Sequence, residues 1–264
     1  MNARAVVCCD LDGVVWLGDH PIPGAAAGIA ALRAAGLRVA FITNNAAHTV
    51  ADYVARLDRH GIPAVPDDIV TSALVAAEFV AAELPVGATV LACAGPGVAE
   101  ALVARGFVVV REGPADAVVV GWHEDFDFAG LCRASAAIRA GARYVATNLD
   151  PSYPAADGIL PGAGAIAAAV TTASGREPEV AGKPAAPAVA FVRRRFGTRG
   201  VMVGDRPSTD GAFASALGWP FALVLSGIAG PGGDEPIPDP RPAYVAADLG
   251  ALSARLIEDL AHPA

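Results

Sequence analysis

An α/β fold built on a parallel sheet is the class this sequence predicts, and three observations predict it. Short runs rich in Val, Ile and Leu alternate with Ala-rich stretches of helical character along the whole chain. The runs are apolar throughout, without the in-out alternation of a half-solvated sheet, as strands covered on both faces are. The chain has 264 residues, 54% of them hydrophobic, enough for a full core.

The strands expected in order are "RAVVCC" (4–9), "LRVAFI" (37–42), "TVLACA" (89–94), "FVVVRE" (107–112), "DAVVVGW" (116–122), "RYVAT" (143–147), "GVMVG" (200–204) and "PFALVLS" (220–226), with a last short one at "AYVAA". Helical stretches fall between them at 24–35, 49–60, 72–83, 97–105, 126–140, 184–196 and 249–261. The Pro/Gly-dense segment "GPGGDEPIPDPRP" (230–242) reads as a surface connection.

A net charge of −8 without a long basic block argues against a nucleic-acid partner, whose affinity comes from phosphate neutralisation. Arg193–Arg195 spread around a helix and read as a solvated face. Cys8, Cys9, Cys93 and Cys132 lack metal-ligand or redox spacing and are expected to be buried free thiols in a reducing compartment. The apolar run before Asp10 is too short for a signal peptide, and no stretch reaches the roughly 18 apolar residues of a membrane helix. The expectation is a cytoplasmic protein without a membrane partner.

In a parallel sheet, ligands bind beyond the carboxyl ends of the strands. There this sequence places Asp10-Leu11-Asp12-Gly13, Thr43-Asn44-Asn45, and Gly204-Asp205-Arg206 with Thr209 and Asp210 beyond. A sharp turn at Gly13 would bring Asp10 and Asp12 to one cavity, and two close carboxylates repel unless a cation neutralises them. With Asp205 and Asp210 they form an all-oxygen set suited to Mg²⁺. Beside a divalent cation one Asp can attack phosphorus while the other handles the leaving-group proton. Thr43, Asn44 and Lys183, the last just before a helix expected from Pro184, offer the hydroxyl, amide and ammonium that a phosphoryl group needs. Taken singly, each has a plainer reading as a turn residue, a loop or an exposed lysine.

"DLDGV" (10–14), "TNN" (43–45), "GKP" (182–184) and "GDRPSTD" (204–210) resemble, in order, the four motifs of the haloacid dehalogenase superfamily of phosphohydrolases. Asp12 matches the phosphatase branch. The first two motifs stand close together, whereas residues 46–181 separate the second from the third, which is where this superfamily inserts one type of α/β cap. "ATNLDPSYPAADGILPGAGAI" (146–166), "LVLSGI" and "PAYVAADLGAL" resemble the p-nitrophenyl phosphatase, phosphoglycolate phosphatase and NagD-like members. The resemblance implies a Rossmann-like core at 1–76 and 180–264, and a cap at 77–179. It also implies a Mg²⁺-dependent phosphomonoesterase for a small phosphorylated metabolite, acting through an aspartyl-phosphate. Asp10 would be the nucleophile and Asp12 the general acid/base. Asp10, the main-chain carbonyl of Asp12, and Asp205 would hold Mg²⁺, with Asp210 in support. Thr43, Asn44 and Lys183 would bind phosphate. Caps in this branch often pair, so a homodimer is expected. The sequence departs from the branch at Pro207-Ser208 and Gly211.

Three other readings carry less. A phosphometabolite sensor would be favoured by loss of Asp10 or Asp12, and both are present. A mutase or phosphotransferase of the superfamily usually carries its cap between the first two motifs. A dinucleotide-binding oxidoreductase needs a G-x-G-x-x-G turn where "DLDGVV" stands. The motifs are common to many substrates, so selectivity is expected from the cap segment 148–162, with Asn148, Asp150 and Tyr153 as its candidates. His123 reads as a surface or packing residue.

Overall fold

The computed structural model describes residues 5–155, 158–229, 236 and 241–261. Most of the 230–242 connection expected on the surface lies outside the described residues.

In chain order the elements begin with β1 (Val6–Cys9), a small hairpin of β2 (Trp16–Leu17) and β3 (His20–Pro21), α1 (Ala25–Ala34), β4 (Arg38–Thr43), α2 (Val50–Arg59), β5 (Ile69–Thr71) and α3 (Ser72–Ala81). There follow β6 (Thr89–Cys93), α4 (Pro96–Ala104), β7 (Val108–Val110), β8 (Ala117–Val120), α5 (Phe128–Arg139), β9 (Arg143–Ala146), the hairpin β10 (Ser152–Ala155) and β11 (Gly158–Pro161), α6 (Ala163–Ser174) and β12 (Glu179–Val180). The chain closes with α7 (Ala186–Phe196), β13 (Gly200–Gly204), α8 (Ala212–Leu217), β14 (Phe221–Val224), β15 (Tyr244–Ala246) and α9 (Leu249–Ala261).

Two parallel sheets result. The first runs β15-β14-β13-β1-β4-β5, the second β12-β9-β8-β6-β7. Successive side chains on a strand point to opposite faces, and this is how the unbroken apolar runs are used. In β1, Val7 and Cys9 pack with Ile29 and Leu32 of α1, Leu57 of α2, and Leu252 and Leu256 of α9. Val6 and Cys8 face the opposite layer, with Ala76 and Val80 of α3 and Phe191 and Val192 of α7. That second layer continues without a break to Val90, Val119 and Val145 of the other sheet, so α3 lies between the two sheets and is apolar nearly all round. The boundary expected at 76/77 falls inside this helix. The outer face of the second sheet is covered by α5 and α6.

Two expectations are corrected. Cys8, Cys9 and Cys93 are buried free thiols, but Cys132 is exposed, because it lies on the outward face of α5, away from Ala134, Ala137 and Ile138. The helix expected from Pro184 starts at Ala186, and Lys183–Pro184 is a cis peptide in the turn before it. The three arginines do spread around α7, but each meets a protein partner. Arg193 donates to the carbonyls of Ala216 and Leu217, Arg194 pairs with Glu78, and Arg195 reaches Asp67 and the carbonyl of Pro66. Among the described residues no helix is long and apolar enough to cross a membrane.

Candidate active site

The chain leaves β1 at Asp10 and turns at once. The amides of Val14, Val15 and Trp16 all donate to the carbonyl of Leu11, and Gly13 takes φ +83°. A side chain at Gly13 would meet the carboxylate of Asp205 as well as the strained backbone angle, so the turn requires glycine. Gly227 approaches the same carboxylate from the other side. Asp205, at the end of β13, also accepts the Ile228 amide at 2.7 Å.

Lys183 is 3% exposed, and its Nζ lies 3.1 Å from Asp10 Oδ1, 2.7 Å from Asp210 Oδ1 and 3.3 Å from the Ile42 carbonyl. The other oxygen of Asp210 accepts the Arg206 amide at 3.2 Å, inside the π-helical turn Pro207–Gly211. One oxygen each of Asp10, Asp205 and Asp210 lie within 4.8 Å of one another. Asp10 and Asp210 share the Lys183 ammonium with Asp205 close by, and the surplus negative charge raises the proton affinity of Asp10 and Asp205. Burial, reinforced by Asp210, Asp205 and Asp12, pushes Asp10 well above the usual carboxylate range against the pull of Lys183. Burial and Asp210 push Asp205 up to about 7. Burial opposes the charge on Lys183, but Asp10 and Asp210 outweigh it and hold the ammonium above its ordinary range. A buried, hard-oxygen cluster with excess negative charge fits a divalent cation such as Mg²⁺, and Asp210, with both oxygens already engaged, fits the part of holding Lys183.

Asp12 lines the same cavity as Asp10. Its Oδ1 accepts the Trp16 indole N–H at 3.0 Å. Burial raises its pKa, opposed by the Arg56 guanidinium and that indole.

Thr43 ends β4 with its hydroxyl accepting the Asn45 amide at 3.0 Å. Asn44 is more heavily engaged. Its carboxamide accepts the Lys183 amide at 2.9 Å and donates to the Lys183 carbonyl at 3.0 Å and to Asp150 Oδ2 at 2.8 Å. Its own carbonyl receives Ser72 Oγ at 2.6 Å and Asn148 Nδ2 at 2.7 Å. Asp150 Oδ1 accepts the Thr209 hydroxyl at 2.9 Å, and Arg206 donates to the Ser152 carbonyl at 2.9 Å. Asn148 and Asp150 are therefore tied to the loops that follow β4 and β13. Tyr153 differs: it stands edge-on to Trp122 with ring centroids 5.1 Å apart, and the pair lines both the inner cavity and an outer groove that reaches His48, Arg56, His123 and Glu124. Its hydroxyl has no hydrogen-bond partner among the described residues.

Sequence reasoning assigned no role to Trp122, Arg206 or Thr209. Trp122 follows β8 almost directly, so the strand-end rule applied to the second sheet would have found it. Nothing in the local sequence pairs Thr209 with Asp150.

Two family models match the chain: haloacid dehalogenase-like hydrolase over residues 7–108, and HAD-hydrolase-like over 180–252. Over 250 residues, 92% of this chain and 69% of the relative, it is 40% identical to a D-glycerol 3-phosphate phosphatase of Mycobacterium tuberculosis. A crystal structure of glycerol phosphate phosphatase from that organism in complex with magnesium superposes with a TM-score of 0.83 at 36% identity, covering 95% of this chain and 76% of that one. The p-nitrophenyl phosphatase from Archaeoglobus fulgidus gives 0.84 at 30% identity, over 96% of this chain and 99% of that one.

Proposed function

The chain belongs to the haloacid dehalogenase-like hydrolases, and from that premise we propose that it is a Mg²⁺-dependent phosphomonoesterase acting on a small phosphorylated metabolite. The observation that carries this reading is the buried Lys183 clamped between Asp10 and Asp210, with Asp205 beside them.

Asp10, the main-chain carbonyl of Asp12, and Asp205 would hold the ion, which when bound offsets the surplus carboxylate charge and that of the incoming phosphate. A carboxylate oxygen of Asp10 attacks phosphorus, the bond to the ester oxygen breaks, and the departing electron pair takes a proton from Asp12. Asp12, now a carboxylate, removes a proton from water as that water attacks the aspartyl-phosphate, which frees Asp10 and inorganic phosphate. Thr43 supplies a hydroxyl donor to the phosphoryl oxygens, and Lys183, its three N–H groups held by Asp10, Asp210 and the Ile42 carbonyl, supplies positive charge beside them. Asn44 was expected to donate to them as well; with both amide protons donated inside the protein, we assign it to fixing Lys183 and the cap segment.

We assign residues 77–179 to a cap over this site, and selectivity to Tyr153 with Trp122, because their side chains line the passage from Asp12 to the outer groove. Pairing of two chains through the cap is supported by Leu149, Ile159 and Leu160, each close to half exposed. A cytoplasmic location is supported by four unpaired cysteines. The decisive measurement is hydrolysis of p-nitrophenyl phosphate and glycerol 3-phosphate with and without Mg²⁺. Turnover that requires the ion and stops in chelator is expected, and undiminished turnover in chelator refutes the reading.

A further inference from the structure

The loop between Asp12 and Trp16 closes on itself. The Gly13 amide donates to the Trp16 carbonyl at 2.8 Å, the Trp16 amide to the Leu11 carbonyl at 3.2 Å, and the indole N–H to Asp12 Oδ1 at 3.0 Å. Trp16 has no solvent exposure. Its ring is covered by the guanidinium of Arg56, 4.1 Å from the ring centroid, and by His60 at 5.8 Å, both from the region of α2. Arg56 in turn donates to the Gly18 carbonyl and lies 3.8 Å from Asp19, so it grips the turn of the β2–β3 hairpin that carries Trp16. A cation held on an indole face is attracted by the ring's quadrupole, which fixes the ring's plane as well as its place.

The consequence falls on Asp12. An N–H aimed at Oδ1 disfavours a proton there, because the oxygen would have to give up an acceptor role. Oδ2 accepts no hydrogen bond from the described residues, and Asp12 lines both the inner cavity and the outer groove. We propose that Trp16, held by Arg56, is a positioning residue for the general acid/base: it fixes the Asp12 carboxyl so that the transferable proton sits on Oδ2, toward the leaving oxygen. This rests on the phosphatase reading above. The plain alternative is that Asp12 merely satisfies the N–H of a core tryptophan.

Trp16→Phe separates the two, because it removes the N–H and keeps an aromatic face for Arg56. The expected result on glycerol 3-phosphate, whose alkoxide must be protonated, is a fall in kcat of roughly 10-fold, part of the 10²–10⁴ a general acid supplies, with KM unchanged. The fall on p-nitrophenyl phosphate, whose leaving group needs little protonation, is smaller. In an Asp12→Asn background, Trp16→Phe should leave the ratio of the two rates untouched. Arg56→Gln should shift the ratio in the same direction, with Arg56→Lys restoring part of it. Arg56→Gln also serves if Trp16→Phe fails to fold, because it leaves the buried indole in place. An unchanged alkyl-to-aryl ratio in these variants, or an equal shift in the Asp12→Asn background, overturns the role of Trp16 while wild-type turnover stands. Absence of turnover in the wild type overturns the phosphatase reading and this role with it.

Discussion

The two sheets share one design and differ at their ends. Both are parallel, both are covered by helices, and they share a hydrophobic layer through α3. Beyond β1 and β13 the first sheet carries Asp10, Asp12 and Asp205. Beyond β6, β8 and β9 the second carries Ala94-Gly95, Gly121-Trp122 and Thr147-Asn148. The glycines and Asn148 there serve contact. A side chain at Gly95 or Gly97 would collide with the backbone of Ala47 or His48, the Gly97 amide donates to the Ala47 carbonyl at 3.0 Å, and Asn148 donates to the Asn44 carbonyl. The strand ends of the two sheets meet at the cavity: the first supplies its carboxylates Asp10, Asp12 and Asp205, and the second supplies Trp122, Asn148 and Asp150, with Lys183 following β12. Fold alone therefore assigns no chemistry here; the residues at the ends do.

The largest effect belongs to the end of the first sheet. Asp10→Asn should bring turnover of every ester to background while circular dichroism and the thermal midpoint show an intact fold. Residual turnover near the wild-type rate would break the contrast between the sheets. Next comes Asp12→Asn, for which a loss of about 10²–10⁴-fold is expected, smallest for p-nitrophenyl phosphate. Equal proportional losses on alkyl and aryl esters would remove Asp12 from proton transfer.

The second sheet's end should divide in two. Asp150→Ala strips an acceptor from Asn44 and Thr209 and should cost roughly 1–3 kcal/mol of stability, with kcat/KM falling alike on all esters. Tyr153→Phe should leave the thermal midpoint in place and lower kcat/KM for glycerol 3-phosphate more than for p-nitrophenyl phosphate. The opposite pattern would exchange their roles. Titration sharpens the contrast further. Asp205 is held near 7 in the folded metal-free protein against 3.8 when unfolded, so the folded state binds the extra proton between these values and its stability falls as pH rises from about 4 to about 7. Ionised Asp205 is also the proposed ligand, so the thermal shift produced by Mg²⁺ should grow across the same window, and a pH-independent shift would contradict it. The smallest effect is a count. Burial holds the Cys8 thiol up at about 12 and that of Cys93 at about 11, so a thiol reagent should modify Cys132 in the native protein and the remaining three only after unfolding.

The long buried strands and amphipathic helices were legible, because hydrophobic period and length survive in any window of sequence. The weaker elements were not. Strand β5 has three residues, β10 and β11 each contain a proline, and α6 begins behind a glycine without a side-chain cap, so local signals ran against the tertiary contacts that stabilise them. The same division runs through the site. Asp10, Asp12, Thr43, Lys183, Asp205 and Asp210, which line one cavity, were singled out because each lies at or soon after a strand end, or before a helix. The parts played by Asn44, Asn148 and Asp150 were not, since their partners lie far off in the chain.

By itself, then, the sequence determined which residues bring oxygen ligands, donors and an ammonium to the strand ends, because residue type and the period of the strands are local properties. Tertiary structure decided how those groups pair. It spent the carboxamide of Asn44 on Lys183 and Asp150 rather than leaving it open, gave Lys183 two carboxylates, turned the Trp16 indole onto Asp12, and set the Tyr153 ring edge-on to Trp122. A buried polar group must find a partner wherever the fold brings one within about 3 Å, and that distance is fixed only when chain segments remote in sequence pack together.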